Sequence, residues 1–513
     1  MRAAIFSVAI FLAACGAKLA SEGKPSPDWA MYNGDYASNR FSPLSDITPA
    51  NVKNLRQICA YELPEKVMFE SGVVAVGGTL YFTTFEHLYA VDAGTCTLKW
   101  NAEHKLKQVP VVGTTRGAAV AGNRVFRGAA DGYVMAYDIS NGKELWATKI
   151  TAPDSLENMS ASPIAWNGMV FIGTAGADLG NICRIAALDA ETGKVLWSFP
   201  LVPTGGEAGS ESWPKGTHVS GGSTWTSFTL DTDAGALYVP TGNPAPDFAG
   251  EYRPGANLYA GSVVVLDAKS GALRTWYQLV PHDIHDWDMA AAPALITTKQ
   301  GQRRAMAAGK DGFLHAIDIA SGKVVWKTPV TTVENIDAPL TVQGTRFCPG
   351  TGGGVVWNGP SYSAATNLVY VNAIDWCSTV KMDTKPPKYE PGKPFLGSTN
   401  GFGASDEKKQ GWVTAVDADT GAVRWKFQSA TPMVAGVLST ATGLVVTGDL
   451  NGDLLFFDAA TGTLLHRIAT HQPVGGGVIA YQQGGSQRIA VAAGLESPLL
   501  QTHGQPTVVV LGL

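Results

Sequence analysis

One short pattern recurs along the chain and limits what it can fold into: an apolar strand, Asp, three residues, Gly, then Trp. It stands as AYDISNGKELW (136–146), ALDAETGKVLW (187–197), AIDIASGKVVW (316–326) and AVDADTGAVRW (415–425). Variants are AVDAGTCTLKW (90–100), VLDAKSGALRTW (265–276) and FFDAATGTLLHR (457–467). The anchors are Asp92, Asp138, Asp189, Asp267, Asp318, Asp417 and Asp458, spaced by 46, 51, 78, 51, 99 and 41 residues. Asp starts a turn by accepting from its own backbone two residues on. Gly takes the positive φ of a hairpin turn. Trp then packs broadly from the next strand, and six of the 14 Trp stand there.

All-strand units at such periods predict a propeller. Seven units are visible, and the C-terminal strand (507–513) is expected to complete an eighth with the N-terminal segment, hiding the sheet edges. The expected fold is all-β: an eight-bladed β-propeller of four-stranded antiparallel blades over residues 28–513. This overrules the prior of about three domains that length alone suggests. The wide gaps hold inserted loops, and the Pro-, Lys- and Gly-rich stretch 383–409 reads as one. Composition agrees: 59 Gly, 45% hydrophobic and 16% charged residues exclude a disordered chain. A net charge of −5 argues against a nucleic-acid partner.

Each unit carries a second turn upstream, as in VFRGAADGYVMAYD (125–138). In an antiparallel meander of strands A to D, the B–C turns and D–A connections share one end, and the Asp-Gly turns lie at the other. Asp178, Asn243 and Lys310 fall in or beside B–C turns. Asp286 and Asp288, in PHDIHDWDMAAAP (281–293), lie in a D–A connection, and Glu70, Arg116, Ser160 and Trp225 start A strands. Singly, the others read as turn, core or surface residues; the Asp286–Asp288 pair beside His282 and His285 does not, because near-adjacent acids repel unless a cation or solvent compensates. Together on one end they offer oxygen ligands for a hard cation, cations for a polyanion and a Trp platform for a flat ring.

The N-terminus reads as an address. Arg2 precedes an apolar run, Ala3 to Ala14, too short to span a bilayer. The run ends LAACG, which resembles a bacterial lipobox with Cys15 as the lipidated residue; an ordinary cleavage site is the alternative. Residues 1–15 are thus a leader and 16–27 a tether. The expected location is the periplasm, anchored to the outer membrane by lipid. Export permits disulfides, and five Cys remain beyond Cys15, so at least one is unpaired. No Cys-x-x-Cys-His run attaches a haem.

The chain resembles the pyrroloquinoline quinone (PQQ) dependent alcohol dehydrogenases. The resemblance runs from DWAMYNGDYASNRFSPLSDITPANVKNL (28–55) through FESGVVAV, TTRGAAVAG, GTAGADLG, GGSTWTSF, TGNPAP, HDIHDWD and GKDG to VAGVLSTATGLVVTGDLNGDLLFFDAATG (434–462). It implies PQQ on Trp225, with Glu70, Arg116 and Ser160 as cofactor contacts and Lys310 beside the reactive quinone oxygen. It implies a metal on Asp178, Asn243 and Asp286, and Asp286 as the base that takes the alcohol proton while hydride passes to the metal-activated quinone. Electrons then leave to a separate cytochrome.

Departures from the family pattern are informative. Asp178 stands where Glu is usual, and His285 where Trp is usual. A shifted register would make Asp288 the base; His282-Asp283 upstream and Pro293 downstream favour Asp286. In that register Asp288 falls where lanthanide-dependent members carry an extra carboxylate, so calcium or a lanthanide is expected. Ile374 replaces an Asn near the quinone. Cys348 and Cys377 match a family disulfide, Cys59 and Cys96 could pair, and Cys183 is left free. The substrate stays open among primary and secondary alcohols, polyols and polymers, with the 383–409 insert and Trp376 shaping the pocket. A second reading is a non-catalytic envelope lipoprotein propeller that binds proteins. A third is a family member without activity.

Overall fold

The computed structural model describes residues 28–107, 113–152 and 155–513. The leader, Cys15 and the tether lie outside the described residues. Among the described residues the helical pieces are four three-residue 3-10 turns, and no helix is long and apolar enough to cross a membrane.

Eight sheets repeat the four-stranded antiparallel meander, and two smaller sheets accompany them. The first comprises Val74–Val76, Thr79–Thr83, His87–Asp92 and Leu98–Glu103. Its innermost strands are buried, and its outermost strand is largely exposed. In the eighth sheet Thr507–Gly512 lies between Ser486–Ala493 and Arg56–Glu62, so the two ends of the chain share one sheet, as expected. Apolar clusters join each sheet to the next, and one of them, around Phe82, Val91, Leu454 and Val491, joins the seventh and eighth to the first.

The repeat owes its spacing to contacts between sheets. Asp189 shows the turn: its Oδ1 accepts the N–H groups of Glu191 and Thr192, at 3.1 and 2.8 Å. Gly193 then takes φ +72°. The Trp of one sheet lies over the turn Gly of the following sheet. A Cβ on Gly142, Gly193, Gly271, Gly421 or Gly462 would stand 2.5–2.6 Å from the ring of Trp100, Trp146, Trp197, Trp326 or Trp425 respectively. Four of these rings also donate Nε1–H to a carbonyl of that sheet. The sixth, Trp276, does not dock. Its segment carries one extra residue between Asp and Trp, which rotates the ring outward to 38% exposure. At the seam between the last sheet and the first, Cys96 occupies the turn-Gly position with φ +57°, and a disulfide to Cys59 replaces the Trp contact. Cys348 and Cys377 form the second disulfide, and Cys183 is free and buried.

An N-terminal strap, residues 28–47, crosses the A–B turn end. Trp29 bridges Ala75 of the first sheet. The Tyr36 hydroxyl donates to the Ala165 carbonyl at 2.7 Å. Leu230, Leu295 and Tyr362 donate backbone N–H groups to Tyr36, Ala37 and Asn39. Arg40, fully buried, donates Nε–H to the Val437 carbonyl at 3.0 Å. Ile47 N–H donates to Gln487 of the eighth sheet at 3.0 Å.

Gly271→Ala is expected to destabilise the protein more than Gly122→Ala. Both take positive φ, which costs about 1–2 kcal/mol for an L side chain. Only Gly271 meets a ring, Trp197, adding about 1–3 kcal/mol of overpacking. Thermal denaturation of both variants checks the order, and equal losses would remove the docking argument.

Candidate active site

The expected residues converge at the end of the sheets opposite the strap, in two connected groups. In the first, Glu70 and Arg116 form a buried ion pair. The Arg116 guanidinium lies 4.5 Å from the Trp225 ring centre and 5.5 Å from that of Trp357. Arg116 Nη1 and Ser160 Oγ both donate to the Trp225 carbonyl, at 2.8 and 3.1 Å. Arg116 and Ser160 thus fix the Trp225 backbone, and Arg116, paired with Glu70, also lies against its indole. Ile374 packs into the apolar cluster that touches Trp225, together with Trp357 and Trp376.

The second group is acidic. Asn243 Nδ2 donates to Asp178 Oδ1 at 3.3 Å, and Asn243 N–H donates to Asp288 Oδ1 at 3.0 Å. Lys310 Nζ reaches Asp286 at 3.1 Å and Asp288 at 2.7 Å. One oxygen each from Asp178, Asp286 and Asp247 lie within 4.8 Å of one another. Asp288 is outside this trio, because its oxygens face Lys310 and the Asn243 N–H. The third carboxylate of the trio is Asp247, from the loop after Asn243.

Local folding explains these placements. The Asp283 carboxylate accepts the N–H groups of His285 and Trp287 at 2.9 and 2.8 Å, closing a tight turn. Within it Asp286 takes φ +62°, a left-handed conformation that ordinary residues avoid. His285, in place of Trp, stacks on Trp287 at 4.1 Å. Fully buried Arg253 clamps the two acidic loops by their backbones. It donates to the carbonyls of Pro246 and Asp247, at 3.0 and 2.9 Å, and to that of Asp283. The insert 383–409 covers this group: Phe395 N–H donates to the Asp178 carbonyl at 2.6 Å, and Phe248 N–H to the Leu396 carbonyl at 2.9 Å. Tyr389 of the insert stacks on His218 at 3.7 Å.

Sequence reasoning missed Asp247, Arg253 and Asp283. Asp247 follows TGNPAP and reads as one more turn residue; Arg253 and Asp283 act through backbone atoms, which leave little trace in residue type. A cavity of about 420 Å³ lies at the strap end, around an Arg303–Asp231 pair, and none of the expected site residues lines it.

Burial governs the charges. It pushes Asp178 up to about 6, with Asp288 adding and Lys310 opposing. It lifts Asp286 and Asp247 well above the carboxylate range. For Lys310, burial favours the neutral amine, but Asp286 and Asp288 outweigh it and hold the ammonium charged. The pair thus keeps its cation, while Asp286 is raised because burial and two further acids act on it.

These shifts fix a pH dependence. Asp178 and Asp283 each rise to about 6 on folding, so their contribution to stability is present at low pH and is lost as pH rises through about 6. His285, lowered to about 4 by burial, works the other way but is outnumbered. Without added cation, the thermal midpoint is expected to fall between pH 5 and pH 7, and to fall less in Asp178→Asn. A rising midpoint, or an unchanged slope in the variant, contradicts the charge reading.

A family model for the β-propeller domain of glucose, ethanol and alcohol dehydrogenases, named for PQQ, matches residues 29–339. A second, for the outer membrane protein assembly factor BamB, matches residues 409–494. Among curated relatives, the quinoprotein alcohol dehydrogenase PedH of Pseudomonas putida is 28% identical, over 91% of this chain and 86% of its own. The quinohemoprotein alcohol dehydrogenase of Comamonas testosteroni is 29% identical over 91% and 73%. Its solved structure superposes with a TM-score of 0.87 at 26% identity, covering 96% of this chain and 81% of that one. A europium-containing methanol dehydrogenase has the same fold, with a TM-score of 0.84 at 23% identity over 95% and 98%. BamB from Moraxella catarrhalis matches over 90% of this chain and 98% of its own, with a TM-score of 0.51 at 13% identity. The sheet architecture agrees with the family model over more than half of the chain and with these relatives: this chain belongs to the PQQ-dependent alcohol dehydrogenase family.

Proposed function

We propose that the chain is an exported, eight-bladed propeller that oxidises an alcohol to an aldehyde or ketone, with Asp286 as the general base. The observation that carries this is the position of Asp286: held in a left-handed turn, beside Lys310 and within the acidic trio. The residues fit the group the family implies. Among the described residues, Arg116 Nε and both Asp247 oxygens have no hydrogen-bond partner although buried. An oxygen-rich donor set suits a hard cation, calcium or a lanthanide.

Trp225 would lie under the flat cofactor, with Arg116 and Ser160 at its edge and Glu70 holding Arg116. Asp178, Asn243 and Asp286 would hold the metal. Asp288 would orient Lys310 and the Asn243 backbone. When bound, PQQ and its metal supply the acceptor for the electron pair of the carbinol C–H bond. Asp286 takes the hydroxyl proton at a carboxylate oxygen. Lys310, kept charged, opposes the rise that burial imposes on Asp286, and a bound cation would favour its ionised form further. The insert 383–409 excludes water above Asp178 and limits the alcohol that enters. The leader ending at Cys15 supports export with a lipid anchor, and the electron acceptor would be a separate cytochrome.

Reconstitution with PQQ and either calcium or lanthanum, followed by dye-linked oxidation of an alcohol panel, tests this reading. Asp286→Asn is expected to lower kcat by about 10²–10⁴-fold, the range for a lost general base, while PQQ still binds. Activity unchanged in Asp286→Asn removes the assignment of the base. No PQQ binding with either metal, in folded protein, removes the proposed function.

A further inference from the structure

We propose that Asp247 is a direct ligand of the site's metal and makes the site prefer a trivalent over a divalent cation. This rests on the metal-site reading above. Asp247 is fully buried, and neither of its carboxylate oxygens meets a hydrogen-bond donor among the described residues. A buried carboxylate is normally paired, hydrogen-bonded or bound to metal. The side chain is nevertheless held in place. Arg253 fixes the Pro246 and Asp247 carbonyls, Pro244–Ala245 pairs with Ser220–Gly221, and Phe248 is tied to Leu396. Every anchor holds backbone, and one carboxylate oxygen comes within 4.8 Å of an oxygen of Asp178 and of Asp286.

The spacing suits a cation. Oxygens within 4.8 Å of one another can share one ion, because ligands at about 2.4 Å on opposite sides of an ion stand about 4.8 Å apart. The charge balance points to the kind of ion. Asp178, Asp247, Asp283, Asp286 and Asp288 face two cations here, Lys310 and Arg253. With an ion bound and the five carboxylates ionised, an excess of three negative charges would be matched by a trivalent ion, and removing Asp247 leaves two.

Europium(III) titrated into the purified full chain tests this. Its emission lifetimes in H2O and D2O count coordinated water, and calcium competition gives the ion preference. In Asp247→Asn the europium Kd is expected to rise by at least about 10- to 100-fold. The bound ion should gain coordinated water, and the europium-over-calcium preference should shrink. The metal-free variant should melt no lower than the wild type, because no hydrogen bond to the Asp247 oxygens is lost. An unchanged Kd and water count overturns the proposal. So does a loss of affinity together with a lower metal-free melting temperature, the signature of a merely structural role. Asp247→Ser serves if the Asn variant does not fold. A wild type that takes up neither europium nor calcium overturns the metal-site reading itself, and the Asp247 assignment with it.

Discussion

Mutual repulsion among the aspartates near Lys310 is the constraint to which the rest of the site answers. Carboxylates this close and this buried resist one another, and the chain restrains them mostly through backbone. Asp283 closes its turn with two N–H groups, and Arg253 holds three carbonyls of the two acidic loops. Asp288 grips Lys310 and a backbone N–H. Such anchoring leaves the oxygens of Asp247 without donors and Asp286 in an unfavourable conformation. The strain is concentrated where an ion and a reacting proton would act, as pre-organisation requires.

The surrounding sheets make this anchoring possible. Trp rings clasp the turn glycines of the following sheet at the end remote from the aspartates. The outer hairpin of these sheets is therefore fixed by aromatic packing at one end, and crowded, irregular loops stand at the other. Where the chain closes on itself no Trp–Gly pair exists, and a covalent bond between Cys59 and Cys96 stands at that junction. The fourth sheet shows how narrow the rule is, since one added residue turns Trp276 away from the next turn glycine and against Tyr259.

Much of this was legible in the residues. Asp, Gly and Trp at fixed spacing announced the meander, because each has a specific turn or packing role. Alternation of ends placed Glu70, Arg116, Ser160, Asp178, Trp225, Asn243, Asp286, Asp288 and Lys310 together, and they lie together in two connected groups. What stayed hidden depended on direction rather than identity. Asp288 and Asp247 are both aspartates in acidic loops, and only their orientation shows that one faces Lys310 and the other the trio. Arg253 works on carbonyls, which every residue has. The strap's role is not legible in its residues, since it lies in contacts with sheets hundreds of residues away.

That strap also sets which way the molecule faces. The Gly77 N–H, in the first A–B turn, donates to the Asp28 carboxylate at 3.3 Å, so the described chain begins at the end remote from the aspartates. A support attached ahead of residue 28 would grip the protein by its back. The reacting mouth would then look away from that support, open to alcohol arriving from the surrounding fluid and to a redox partner that docks from the far side.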